Sequence, residues 1–211
     1  MITPRPGLPS FYVTSLAKIL VGEQPCHLEA WAKAHLQLPK TPQSPQMAAW
    51  KVNHTAMLTT EVDGLNADGW KTTVEQFFRL TGTTAILSGK PDVICQKKDA
   101  RPKIVDIKSG SPKESDMLQV QIYMIAIPLA WESPSMIFEG EVVYSTHRVK
   151  IEAHEVGPVK ERLFPLLRKL AGAQKPDPSP SESSCKFCEV PDEVCGSRWV
   201  GETPNVLVSE W

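Results

Sequence analysis

The chain has 211 residues, 41% of them hydrophobic and 22% charged, with 23 Lys and Arg against 24 Asp and Glu. That suits one ordinary domain, or a domain with an appended lobe, and excludes a disordered or collagen-like chain. A net charge of −1 excludes a bulk polycation, so any phosphate contact must come from a local patch such as Lys97, Lys98, Arg101 and Lys103. That patch reads equally well as a solvated hairpin tip.

No apolar run approaches the length of a membrane span, and no segment has the layout of a secretory signal. A cytoplasmic location is therefore the default expectation. In that reducing setting the five cysteines point to metal or redox chemistry before disulfides.

In chain order, residues 1–9 are proline-rich and expected to be irregular. The segment 10–20 predicts a short apolar helix with Thr14 or Ser15 as N-cap. A second helix is predicted from Cys26 to about Leu38, where Cys26 taken alone reads as a buried thiol. After a proline-rich joint at 39–45, a long helix is expected over 46–65. Met47, Trp50, His54, Met57, Leu58 and Glu61 fall on one face of it, so His54 points toward the apolar side. Such a histidine is either a hydrogen-bonded core residue or a ligand, and Glu61 is a weaker candidate of the same kind.

Residues 74–78 predict a first strand, followed by a Thr-Gly-Thr turn. The apolar runs 85–87 and 93–95 read as one strand, bent near Asp92 by Gly89 and Pro91. Residues 96–103 form a polar loop, and 104–108 a strand with Ile104, Asp106 and Lys108 on one face and Val105 and Ile107 on the other. The resulting hairpin brings Asp92 toward Asp106. Two carboxylates and a lysine on one hairpin are what Mg²⁺-assisted phosphodiester cleavage needs. The carboxylates hold a hard cation, and the lysine stabilises a hydroxide nucleophile or the developing phosphorane charge.

A helix is predicted over 114–130, with Gln119 and Tyr123 close together on one face. A hairpin over 136–156 turns near His147. An amphipathic helix follows over 157–173, with Val159, Leu163, Leu166, Leu167 and Leu170 inward and Pro165 expected to kink it or restrict its first turns. Residues 172–184 read as a proline- and serine-rich linker leading to Cys185, Cys188 and Cys195. These three need a fourth ligand to fill a four-coordinate site, and Cys26 is available; zinc, a redox pair or a cluster all remain open at this point. Cys95, inside the hairpin strand, reads as a small buried hydrophobe.

The strings GKPDVI and IVDIKSG, followed by Gln119 and Tyr123 on the next helix, resemble the RecB-like branch of the PD-(D/E)xK nucleases. The cysteine layout, one upstream and three near the C-terminus, resembles the iron–sulfur members of that branch, including the CRISPR-associated RecB-like exonucleases. The resemblance implies an α/β fold with a restriction-endonuclease-like core, a mixed sheet flanked by helices, over about 45–171. Segments 10–40 and 172–211 would form a cluster lobe, within a single nuclease domain over 1–211.

For the site, the resemblance implies Asp92, Asp106, Lys108, Gln119 and Tyr123 as catalytic residues. His54, Asp92, Asp106 and the Ile107 carbonyl would bind Mg²⁺ or Mn²⁺. Cys26, Cys185, Cys188 and Cys195 would hold a 4Fe-4S iron–sulfur cluster, with Zn²⁺ as the alternative. Glu75 has a counterpart in the family pattern and is expected to be a supporting residue. The implied activity is a metal-dependent deoxyribonuclease, an exonuclease on single-stranded or frayed DNA ends. Its partners would be DNA and, by analogy, proteins of CRISPR adaptation or recombination. Two other readings stay open: a non-catalytic nucleic-acid-binding module on the same fold, and a zinc-stapled interaction protein.

Overall fold

The computed structural model describes residues 2–39, 45–186, 188–199 and 201. Most of the 39–45 joint, the side chain of Met47 and the end of the cluster lobe beyond 201 lie outside the described residues.

The chain opens with strand β1 (Thr3–Pro4), then β2 (Ser10–Tyr12), which runs directly into helix α1 (Val13–Leu20). Of the segment 10–20, the first three residues are thus strand and the other eight helix, which starts ahead of the expected cap. Ser10–Tyr12 pairs in parallel with Ile86–Ser88, and burying Phe11 there outweighs local helix preference. The N-cap is Tyr12, without a side-chain cap bond, in place of Thr14 or Ser15. Helix α2 (His27–His35) has Cys26 as N-cap and stops before β3 (Leu36–Gln37), which pairs with β1. The expected extension to Leu38 and the fully irregular N-terminus are both corrected by that small sheet.

Helix α3 (Pro45–Ala67) is followed by β4 (Lys71–Val74) and β5 (Phe78–Thr81). One strand over 74–78 was expected; the structure breaks it at Glu75, whose φ of 50° is left-handed, and gives the halves to different sheets. The return path does the same: β6 (Ile86–Gly89) and β7 (Val93–Gln96) lie in different sheets, with the crossing at 90–92. The two crossings are tied together by the Glu75 N–H, which donates to the Asp92 carbonyl at 2.8 Å.

Strand β8 (Lys103–Lys108) pairs antiparallel with β7, as expected. Helix α4 (Glu114–Ala130) then crosses over to β9 (Glu139–Tyr144), which runs parallel to β8 and turns back into β10 (Arg148–Ile151). The main sheet has the order β10-β9-β8-β7-β4, and the smaller one β2-β6-β5. Helix α5 (Val156–Ala171) continues through Pro165 with Val159, Leu163, Leu167 and Leu170 buried. Two short helices close the described chain, α6 (Glu182–Cys185) and α7 (Asp192–Cys195).

The central strand β8 is buried on both faces over Ile104–Ile107, so its one charged residue there, Asp106, is enclosed with the apolar ones. Val105 and Ile107 pack with Leu58 and Leu65 of α3, whereas Ile104 joins the larger core around α4, α1 and α5. Helix α4 lies so close to β9 that a Cβ on Gly140 would come within 2.6 Å of Val120 Cγ1 and 2.8 Å of Met124 Sδ. On the other layer, α3 buries Leu58 and Glu61, but Trp50 is half exposed rather than part of its apolar face. Helix α4 likewise leaves Met117 at its surface.

Candidate active site

The register Val93↔Val105 in the β7–β8 hairpin, continued one residue, places Asp92 opposite Asp106. Asp92 leaves its strand at the sheet crossing, and the Ile107 N–H donates to its Oδ2 at 2.7 Å. The same oxygen lies 3.2 Å from His54 Nε2, so α3 reaches the hairpin from one layer. The hydrogen bond to Asp92 raises the His54 pKa, against burial and with help from Asp106.

From the other layer α4 reaches Asp106, which is 1% exposed. Gln119 Nε2 donates to Asp106 Oδ1 at 3.2 Å and to Tyr123 Oη at 3.3 Å, while its Oε1 accepts from Lys108 Nζ at 3.3 Å. With both N–H groups and the carbonyl engaged, the amide has one orientation. The Tyr123 hydroxyl in turn donates to the Lys90 carbonyl at 3.3 Å, locking the chain of contacts to the crossing. Burial, with the Asp106 charge adding to it, pushes the Tyr123 phenol well up, so it remains a neutral donor.

Lys108 Nζ stands 2.8 Å from Asp106 Oδ2 and 3.8 Å from Asp116 Oδ1. Burial alone would lower its pKa, but Asp106, Asp116 and Asp92 outweigh that and hold it raised, as an ammonium. Asp106 itself is pushed up to about 6, chiefly by burial, with Asp92 and Asp116 adding and Lys108 opposing. Its Oδ2 is shut from solvent and takes no hydrogen bond of regular geometry among the described residues. The ammonium is near enough for an ion pair but off the direction a hydrogen bond requires.

Asp116 is a member of this group that the sequence reading missed. It is buried, accepts from the Tyr144 hydroxyl at 3.1 Å, and pushes that phenol up to about 12 together with burial. The signal was present: Asp116, Gln119 and Tyr123 recur at helical spacing on one face. Trp50 was also missed as a site residue; its ring stacks on His54 with centroids 5.0 Å apart. Trp50, Lys108, Asp116 and Gln119 all line one cavity of about 290 Å³.

The remaining candidates lie elsewhere. Glu61 forms a two-pronged ion pair with Arg148, at 2.5 and 2.8 Å, and Arg148 also reaches Glu141 at 3.4 Å. Glu75 pairs with Lys90 at 2.6 Å on the surface, so its visible role is at the crossing. In the basic patch, Lys97 donates to the Asp68 carbonyl, Lys103 pairs with Glu141, and Arg101 lies 3.6 Å from Glu139. Both lysines also lie over the Trp70 ring, which leaves that patch largely engaged within the protein.

Cys26, Cys188 and Cys195 gather in one apolar cluster with Leu28, Trp31 and Val190. Cys185 ends α6, and the Trp199 N–H donates to its sulfur at 3.4 Å. Burial, with the Glu29 charge adding to it, raises the Cys188 thiol. Cys95 is fully buried in the α3-side core and pushed up to about 11 by burial. All five thiols are free. Among the described residues no three His, Cys, Asp or Glu side chains stand in a metal-binding arrangement. No helix among them is long and apolar enough to cross a membrane.

No curated protein sequence matches the chain. Among solved structures it is similar to the alkaline exonuclease LHK-Exo from Laribacter hongkongensis, with 10% identity, 76% of this chain and 87% of that one covered, and a TM-score of 0.45. The complex of LHK-Exo with dAMP gives the same identity and coverage with a TM-score of 0.48. The crystal structure of SSO0001 shares 13% identity over 87% of this chain and 85% of that one, with a TM-score of 0.42. Neither an iron–sulfur cluster nor a CRISPR association is part of these findings. The profile of the PD-(D/E)XK nuclease superfamily matches residues 21–196, a span that takes in both crossings, the β7–β8 hairpin and all of α4, and the chain belongs to that superfamily.

Proposed function

We propose that this chain is a divalent-metal-dependent deoxyribonuclease, an exonuclease hydrolysing phosphodiester bonds at single-stranded or frayed DNA ends. The observation that carries the reading is the meeting of Asp92, Asp106, Lys108 and Gln119 around one hairpin, reached by α3 on one side and α4 on the other. The donor set fits a hard cation: two carboxylates close together, with Asp106 Oδ2 buried and short of a hydrogen bond. Asp92, Asp106, His54 and the Ile107 carbonyl would hold Mg²⁺ or Mn²⁺, which supplies Lewis-acid charge at the scissile phosphate.

The chain's own residues set up the rest of the chemistry. Lys108, held as an ammonium by three carboxylates, is a donor that orients the attacking water and stabilises charge growing on the phosphoryl oxygens. Gln119 fixes the lysine through Oε1, and Tyr123 fixes Gln119; both are positioning residues.

In the same reading Cys26, Cys185, Cys188 and Cys195 hold a 4Fe-4S cluster that staples the two chain ends into one lobe of a single nuclease unit. Three of the four thiols share an apolar cluster, and the N–H on the fourth is a contact typical of cluster sulfurs. Free thiols suit a cytoplasmic setting. Purified anaerobically and given Mn²⁺, the protein should degrade linear single-stranded DNA and spare circular single strands. Equal cleavage of the circle would overturn the exonuclease assignment, and no metal-dependent cleavage of either would overturn the function.

A further inference from the structure

The cavity beside the Asp106–Lys108 pair has a second wall that the chemistry above does not use. It is made by Thr14 and Lys18 of α1, by Ser109, Gly110 and Ser111 after β8, and by Lys113 at the entry to α4. Lys18 and Lys113 are both exposed, and neither has an ion-pair partner among the described residues. This contrasts with the hairpin-tip cations, which are engaged with Asp68, Glu139 and Glu141. Trp50 lines the same cavity, half exposed, with its ring stacked on His54. Ammoniums, hydroxyls and a half-exposed indole lining one cavity complement a phosphate joined to a planar base. The cavity volume, about 290 Å³, is of the order that one nucleotide fills.

The geometry points to this cavity as the subsite for the nucleotide adjoining the bond to be cut, with its phosphate on Lys18 and Lys113 and its base stacked on Trp50. The inference rests on the nuclease reading above and narrows it. A base can cover Trp50 only when its own face is free of the next base pair, so the strand enters this subsite unpaired. His54, beneath the indole, ties the stacked base to the Asp92 side of the site.

The test is a binding measurement without catalysis: fluorescence anisotropy of a labelled six-nucleotide oligothymidine and of a blunt duplex, in EDTA, over a range of salt. Trp50→Ala should weaken single-strand binding about tenfold or more, and Trp50→Phe should recover most of it, since stacking survives on a smaller ring. Lys18→Gln and Lys113→Gln should each reduce the salt dependence of single-strand binding by about one released counterion. Duplex binding should change little in the Trp50 variants. Single-strand affinity of Trp50→Ala equal to wild type, with far-UV circular dichroism unchanged, would overturn the subsite. Equal loss on duplex and single strand would overturn the unpaired-strand assignment. Metal-dependent cleavage by wild type is scored separately, so its absence would count against the nuclease reading while the binding data still decide the subsite.

Discussion

Gly89→Ala should damage the site without replacing any group in it. Gly89 ends β6, and a Cβ placed there would lie 2.7 Å from Tyr123 Cε1, 3.0 Å from Phe78 Cε1 and 3.1 Å from Val13 Cγ2. These neighbours cannot retreat cheaply. Phe78 and Tyr123 pack edge to face with centroids 5.9 Å apart, and the Tyr123 hydroxyl is held by Gln119 and Lys90. Gly89 has no left-handed φ, so the whole effect is contact and not backbone strain. Overpacking of this kind costs ~1–3 kcal/mol, which in a chain of this size lowers Tm by roughly 2–4 °C per kcal/mol. Because the displaced ring carries the hydroxyl that orients Gln119, and Gln119 orients Lys108, cleavage should fall by about tenfold or more. The assay is a thermal melt in EDTA beside Mn²⁺-dependent digestion of labelled single-stranded DNA. Adding Phe78→Leu should return part of both losses by opening space beside the ring. Wild-type Tm and wild-type rate in Gly89→Ala would refute the packing argument.

Three further outcomes are expected. The Asp106 pKa is raised, so its contribution to stability is complete below about 4 and is lost as pH rises through about 6. In EDTA, the melting temperature of Asp106→Asn relative to wild type should therefore climb between pH 5 and pH 7.5, and a flat difference would refute the burial argument. Arg148→Ala should cost ~1–2 kcal/mol, discounted for its half-exposed side chain, because Glu61 is left buried without its partner. It should lower Tm and leave cleavage at 25 °C intact. Cys26→Ser should bleach anaerobically purified protein and expose the chain after about residue 172 to limited proteolysis, as Cys188→Ser should, whereas Cys95→Ser should do neither. Full colour in Cys26→Ser would remove it from the proposed ligand set.

The elements most legible in the sequence were those whose signals are local. Helix α4 starts and stops where its acidic first turn and apolar faces place it, and the β7–β8 hairpin follows from alternation around a polar loop. The sheet crossings were not legible for different reasons at their two ends. Glu75 takes a left-handed φ with no glycine to announce it, and Gly89 with Pro91 signalled a bend but not a change of sheet. Strand β2 was hidden because its partner is β6, far along the chain, and short apolar segments take whichever structure a distant partner offers. At the site, the hairpin spacing and the Gln119–Tyr123 pair anticipated which side chains would meet. Asp116 was not singled out, since its neighbours Lys108 and Tyr144 come from strands that the helix itself connects.

The measurement closest to the central claim is the rate of Mn²⁺-dependent hydrolysis of end-labelled linear single-stranded DNA by wild type and by Asp106→Asn and Lys108→Ala, each checked for folding by thermal melt. The account predicts metal-dependent cleavage by wild type and a loss of at least about a hundredfold in each variant. Wild-type rates in either folded variant would contradict it.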